Sequence, residues 1–135
     1  MVDTSVWTWA TRVPAVRGVL RELTEHDHLA TCRPVFLEML HSARSLVEFA
    51  EIRSTLEGLI VIPTDERVWR RAVDVYELLA AQGGMHQRQV QHADLLIAAA
   101  AEVTGIPVLH YDEDYDRIAA VTGQPTEWVR PRGSL

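Results

Sequence analysis

ADLLIAAAAEVTGIPVLHYDEDYDRIAAVTG, residues 93–123, is the stretch on which the fold turns. From Ala93 to Thr104 it is apolar nearly all round and rich in small side chains, the pattern of a buried helix lying close against a sheet. Gly105 ends that helix. IPVLH, residues 106–110, then reads as a strand, DEDYDRIAAVTG as a short helix, and EWV at 127–129 as the last element.

Outward from that stretch the alternation continues. LIVIP, residues 59–63, is a continuous β-branched run expected to hide both faces in a parallel sheet. Thr64 or Asp65 caps a following helix that carries Val68, Trp69, Ala72, Val73, Tyr76 and Leu79 and breaks at Gly83-Gly84. Further upstream, Val16, Val19, Leu20 and Leu23 recur at helical spacing from about residue 14 to 26. Leu29 to Cys32 is a short strand, Pro34 opens a helix through Val35, Leu37, Met39 and Leu40, and Leu46, Phe49, Ile52 and Leu56 mark another that stops near Gly58. VDTSVW, residues 2–7, reads as a strand followed by a loop, and becomes the central strand of the sheet. Strands alternating with helices predict an α/β fold, a three-layer α/β/α sandwich around a mostly parallel sheet, with residues 1–135 as one domain.

The totals narrow the function. The chain has 135 residues, 47% hydrophobic and 24% charged, an ordinary globular composition without repeats. Its longest uncharged apolar run, Leu95 to Ala101, falls far short of the roughly 20 residues a membrane span requires, and Asp3 stands where a signal peptide needs a basic region. Cys32 is the only cysteine, so a disulfide framework and a thiolate metal site are both excluded, and a reducing cytoplasm is expected. All thirteen basic residues are arginine, which excludes a P-loop and a phosphorylation receiver, since both need a lysine. A net charge of −6 argues against passive binding of nucleic acid through a basic surface, though not against a metal-dependent enzyme acting on it.

In a parallel sheet, ligands sit beyond the carboxyl ends of the strands. Four acids are expected near one such edge: Asp3 in the first strand segment, Asp112 directly after IPVLH, Asp94 in the first turn of the buried helix and Glu38 on the second helix. Taken singly, each has a plain structural account: turn or cap for Asp3, N-cap for Asp112, helix-dipole partner for Asp94, and a solvent-facing position near Arg44 for Glu38. Together they would repel one another unless a hard divalent cation resolved the charge, and magnesium, held by carboxylates, water and phosphate oxygens, suits such a set. Rival metal sites fit less well. Asp112, Asp114 and Asp116 begin like a calcium loop, but Arg117 stands where its glycine is needed and Gly123 where its glutamate is needed. The histidines make no HExxH spacing, and His92 and His110 read as ordinary polar positions.

VDTSVW, PVFLEMLHSAR and HADLLIAAAAEVTGIPVLHYDEDYDRIA, in that order and over essentially the whole chain, resemble a PIN-domain ribonuclease, specifically a VapC-type toxin of a bacterial toxin–antitoxin pair. The resemblance implies a catalytic set of Asp3, Glu38, Asp94 and Asp112, with Asp3, Asp94 and Asp112 as metal ligands, Ser5 bracing the first acid and Asp114 supporting. The fourth acid falls among Asp112, Asp114 and Asp116, with Asp112 in the matching place. It further implies RNA phosphodiester hydrolysis by a water activated on Mg2+, with Mn2+ as a substitute, a homodimer, and an antitoxin partner whose tail covers the acidic groove. Glu38 and Asp112 would hold metal-bound waters or a second ion, and one of the two would act as general base. Arg12, Arg17 and Arg44 are candidates to orient phosphates, and Trp7 and Trp9 are read as packing residues. Tyr115 departs from the family's usual phenylalanine and is expected to matter little. The rival expectation is a degenerate domain of the same fold that binds RNA or a protein without cutting.

Overall fold

The computed structural model describes residues 1–135. In chain order the elements are α1 (Thr4–Ala10), α2 (Pro14–Glu25), β1 (Ala30–Cys32), α3 (Arg33–His41), α4 (Leu46–Glu57), β2 (Ile60–Ile62), α5 (Glu66–Ala81), a 3-10 turn (His86–Arg88), α6 (His92–Thr104), β3 (Val108–His110), α7 (Glu113–Thr122) and β4 (Thr126–Trp128).

Two parallel pairs, β1 with β2 and β3 with β4, make up the sheet. The amino-terminal segment joins them. Val2 donates to the Ala30 carbonyl at 2.9 Å on one side, while Asp3 donates to Leu109 at 3.0 Å and Leu109 to Met1 at 2.8 Å on the other. The spatial order is therefore β2, β1, the Met1–Asp3 segment, β3, β4, all parallel. The central position expected for VDTSVW holds, but its extent does not, because only the first residues are extended and Thr4 already begins a helix. The β-branched and aromatic residues of TSVWTWA favour a strand by propensity alone. That preference loses to the Asp3 cap, which accepts a hydrogen bond from the Ser5 amide at 2.8 Å, and to Val6 and Ala10, four apart, which are buried on one helical face.

Side chains alternate across this short central segment, and the core divides accordingly. Met1 and Cys32 join Val35 of α3, Val68, Ala72, Val75 and Leu79 of α5, the α6 alanines, and Tyr115 and Ile118 of α7 on one face. Val2 and Leu29 join Val6 and Ala10 of α1 and Val16 and Leu20 of α2 on the other. This is the α/β/α layering expected.

Helix α6 is the keystone of the larger face. Ile97 through Ala101 are all at most 2% exposed, and small side chains let the helix approach its neighbours closely. Gly105 then turns the chain at φ +73°, a conformation side chains resist, and its amide closes the helix on Glu102. Arg71 of α5 clamps the same end through a two-point ion pair to Glu102 at 2.8 Å. Replacing Ala100 with leucine inserts three carbons where nothing can yield. A loss of about 1–3 kcal/mol is expected, read as a lower urea midpoint with unchanged slope.

Two expectations of burial fail. Ile60 is 50% exposed, because β2 is an edge strand paired on one side only, so LIVIP does not hide both faces. On α4 only Leu56 is buried, while Leu46 and Val47 are 87% and 70% exposed. Leu37, Trp69 and Val73 also face outward. No helix is long and apolar enough to cross a membrane.

Candidate functional site

The carboxyl edge of the sheet centre is where α1, α6 and α7 begin. Asp3 ends the central segment, 2% exposed, with both oxygens engaged. Its Oδ2 accepts from the Ser5 amide and from the Ser5 hydroxyl, and its Oδ1 from the Tyr115 hydroxyl at 2.6 Å. The Ser5 hydroxyl also accepts from the Tyr111 amide at 2.9 Å, tying α1 to the end of β3. A cap role and a place in the acidic cluster thus coincide in Asp3.

Asp94, in the first turn of α6, is 6% exposed, and its Oδ1 lies 3.2 Å from the same Tyr115 hydroxyl. Burial first, then the charges of Asp3, Asp112, Asp114 and Glu38, push its carboxyl up to about 8. Glu38, half-buried on α3, is raised in the same direction by burial and by Asp3 and Asp112. The Thr4 hydroxyl opposes that shift by donating to Glu38 Oε2 at 2.6 Å. Arg44, expected near Glu38, pairs with Glu48 instead. Asp112 caps α7, its Oδ1 accepting from the Asp114 amide at 2.9 Å.

The crowded acids of DEDYD diverge, because residues 113–122 are helical and no calcium loop forms. Asp114, 6% exposed, pairs with Arg117 and accepts from the Gln91 amide at 3.2 Å, bracing the start of α6 against α7. Asp116 accepts from the Trp128 indole at 3.1 Å. Only Asp112 of the three is left with a carboxylate oxygen that the chain does not engage.

Three contributors were not evident from the sequence. Thr4 fixes Glu38. Tyr115, expected to matter little, places its hydroxyl between Asp3 and Asp94. Burial and those two carboxylates hold the phenol well above its usual pKa, so it remains a protonated donor. His110 is not an ordinary polar position but is fully buried, its ring 5.0 Å from those of Tyr115 and Trp128 and its Nδ1 accepting from the Asp112 amide at 3.2 Å. Burial lowers its pKa, and its Nε2 has no partner. His92 packs edge-on against Tyr76.

Of the arginines considered for phosphate, Arg17 is spent on the Ala10 and Thr11 carbonyls at the end of α1 and Arg44 on Glu48, while Arg12 is exposed and unpaired. Trp7 packs against both cores, and Trp9 lies edge-on to Tyr111 at 5.6 Å.

The donor set is all hard oxygen, which suits magnesium or manganese rather than zinc or copper. No three of the chain's histidine, cysteine, aspartate or glutamate side chains converge as a ready-made cage. A cage is not required, since magnesium is usually bound by one or two carboxylates and completes its shell with water and phosphate oxygens. The Asp94 carboxyl is pushed up by burial and by the charges of Asp3, Asp112, Asp114 and Glu38, a repulsion that a bound cation would relieve.

A family model described as the PIN domain matches residues 1–121. The chain is 48% identical over 134 residues to Ribonuclease VapC18 of Mycobacterium tuberculosis, covering 99% of this chain and 97% of that protein. To Ribonuclease VapC51 of the same organism it is 42% identical over 135 residues, covering 100% and 96%. In three dimensions it is similar to a chain of the DNA-bound VapBC crystal structure from Salmonella typhimurium, with a TM-score of 0.75 over 96% of this chain and 97% of that one, at 20% identity. At that identity the likeness bears on the fold alone.

Proposed function

The chain belongs to the PIN-domain family, and from that membership and the acidic site we propose that it is a metal-dependent endoribonuclease, the toxin of a toxin–antitoxin pair. The observation that carries the reading is the meeting of Asp3, Asp94, Asp112 and Glu38 at one sheet edge, with Asp94 raised to about 8 by burial and by the other acids. Similarity along almost the full length to proteins named as VapC ribonucleases supports it.

Asp3, Asp94 and Asp112 would hold the divalent ion, Mg2+ in the first place with Mn2+ as a substitute. When bound, such an ion supplies charge to stabilise the attacked phosphate and makes water a nucleophile near neutral pH. The chain's own residues provide placement. Ser5 and Tyr115 fix the Asp3 carboxylate, and the α7 start orients Asp112. Glu38, held by Thr4 and with its pKa raised by burial, would be the general base that takes the proton of the attacking water. Asp114 supports the site from behind by bracing α6 against α7.

A homodimer and an antitoxin belong to the same proposal. The outward Leu46 and Val47 of α4, and Trp69 and Val73 of α5, supply two apolar faces of the kind that protein partners cover. A cytoplasmic location follows from the substrate. The biological test is induced expression in a bacterium: growth arrest is expected with the natural chain and relief with Asp3→Asn. Arrest undiminished by that substitution would contradict the reading. Asparagine caps helices as well as aspartate does, so the variant keeps the start of α1.

A further inference from the structure

The Tyr115 hydroxyl touches both of the most buried acids in the cluster, at 2.6 Å from Asp3 Oδ1 and 3.2 Å from Asp94 Oδ1. Its ring is 0% exposed, sits within the α5–α6–α7 core and lies 5.0 Å from His110, so it cannot swing aside without opening the protein. A phenylalanine would fill the same space. The hydroxyl therefore adds nothing to packing, and a buried hydroxyl is costly unless it finds a partner. Here its partners are two carboxylates from well-separated parts of the sequence, the amino-terminal segment and the start of α6.

We propose that Tyr115 is a positioning residue for the metal site, its hydroxyl setting the Asp3 and Asp94 carboxylates in the mutual orientation a divalent cation requires. The proposal rests on the divalent-metal reading above. A carboxylate oxygen has two lone pairs, so one that accepts from the phenol can still bind a cation. Hydrogen bonds of this outer kind hold a ligand's orientation and tune the metal it binds. Asp3 is fixed twice over, by Ser5 on one oxygen and by Tyr115 on the other. Asp94, carried on the first turn of α6, has Tyr115 as its one side-chain partner and shares with Asp3 the single proton of that hydroxyl.

The test is Mn2+ binding by the full chain, by titration calorimetry and by the Mn2+ electron paramagnetic resonance signal, comparing the natural protein with Tyr115→Phe and Asp94→Asn. Thermal melting in chelator confirms that Tyr115→Phe, which keeps the ring, stays folded. The natural chain is expected to bind Mn2+ in a manner that Asp94→Asn abolishes, and Tyr115→Phe to weaken that binding roughly ten- to hundredfold. Equal affinity in Tyr115→Phe would make the hydroxyl a core feature only, and tighter binding would make it a plug that the cation displaces; either overturns the proposal while leaving the metal reading intact. Absence of Asp94-dependent binding in the natural chain would overturn both.

Discussion

Asp94→Asn is expected to lower RNA cleavage about a hundredfold or more at saturating Mg2+, measured as initial rate on a long single-stranded RNA. Removing a group that only orients a metal ligand already costs about 10- to 100-fold, and a ligand itself contributes at least as much. The substitution keeps the shape, and the amide oxygen can still accept from Tyr115, so the fold is preserved and the loss reads the charge. Asp94 is the best of the acids for this purpose, because its side chain caps no helix. Undiminished cleavage would mean that the carboxylate at the head of α6 is structural.

The same substitution is expected to stabilise the protein when metal is absent. Burial and the neighbouring acids push the native carboxyl up to about 8, against about 3.9 for an unperturbed aspartate. Below about pH 4 both folded and unfolded chains hold the proton and Asp94 costs nothing. As pH rises toward 8 the unfolded chain releases a proton that the native state keeps, so stability falls by about 1.4 kcal/mol per unit over that window. Above it the full penalty remains. In chelator at pH 8, Asp94→Asn should therefore raise the melting temperature by at least about 5 °C, with a gain several-fold smaller near pH 4.5. Millimolar Mn2+ should narrow the difference, since only the natural chain gains from binding. A variant that melts lower in chelator at pH 8 would make Asp94 a net stabiliser of the empty protein, as a partner of the α6 dipole.

The architecture was largely legible in the sequence because the strongest signals were long. The all-round apolar character of residues 93–104 could only be a buried helix, and the helix boundaries at Pro14, Gly58, Asp65 and Gly105 carried their own cap chemistry. The first segment misled, because TSVWTWA looks like a strand until the Asp3 cap and the Val6–Ala10 spacing are weighed against propensity. LIVIP misled in the other direction. Its β-branched run was a true strand signal, but whether a strand is central or at an edge depends on neighbours that no local pattern encodes.

At the site, the acids were visible and strand alternation led one to expect them at one sheet edge, but the contacts that bring them there were not legible. Asp3 and Asp112 each look like caps and are caps; what the sequence could not show is that the central segment and β3 are hydrogen-bonded neighbours, which delivers both to one edge. The divergence of Asp112, Asp114 and Asp116 was hidden for a related reason. Three acids at every second position fan around a helix, one toward the site, one to Arg117 and one to Trp128. Tyr115 carried a signal, a hydroxyl in place of the usual phenylalanine, but its weight depended on two carboxylates 112 and 21 residues away.

RNA cleavage by this chain should depend entirely on a divalent ion held by these carboxylates. The direct measurement is cleavage of a defined RNA by the purified chain after exhaustive chelation, followed by Mg2+ titration, alongside Asp3→Asn. The predicted result is no product in chelator, saturable recovery with Mg2+ and silence from Asp3→Asn at every concentration. Cleavage that survives chelation, or full recovery in Asp3→Asn, would contradict it.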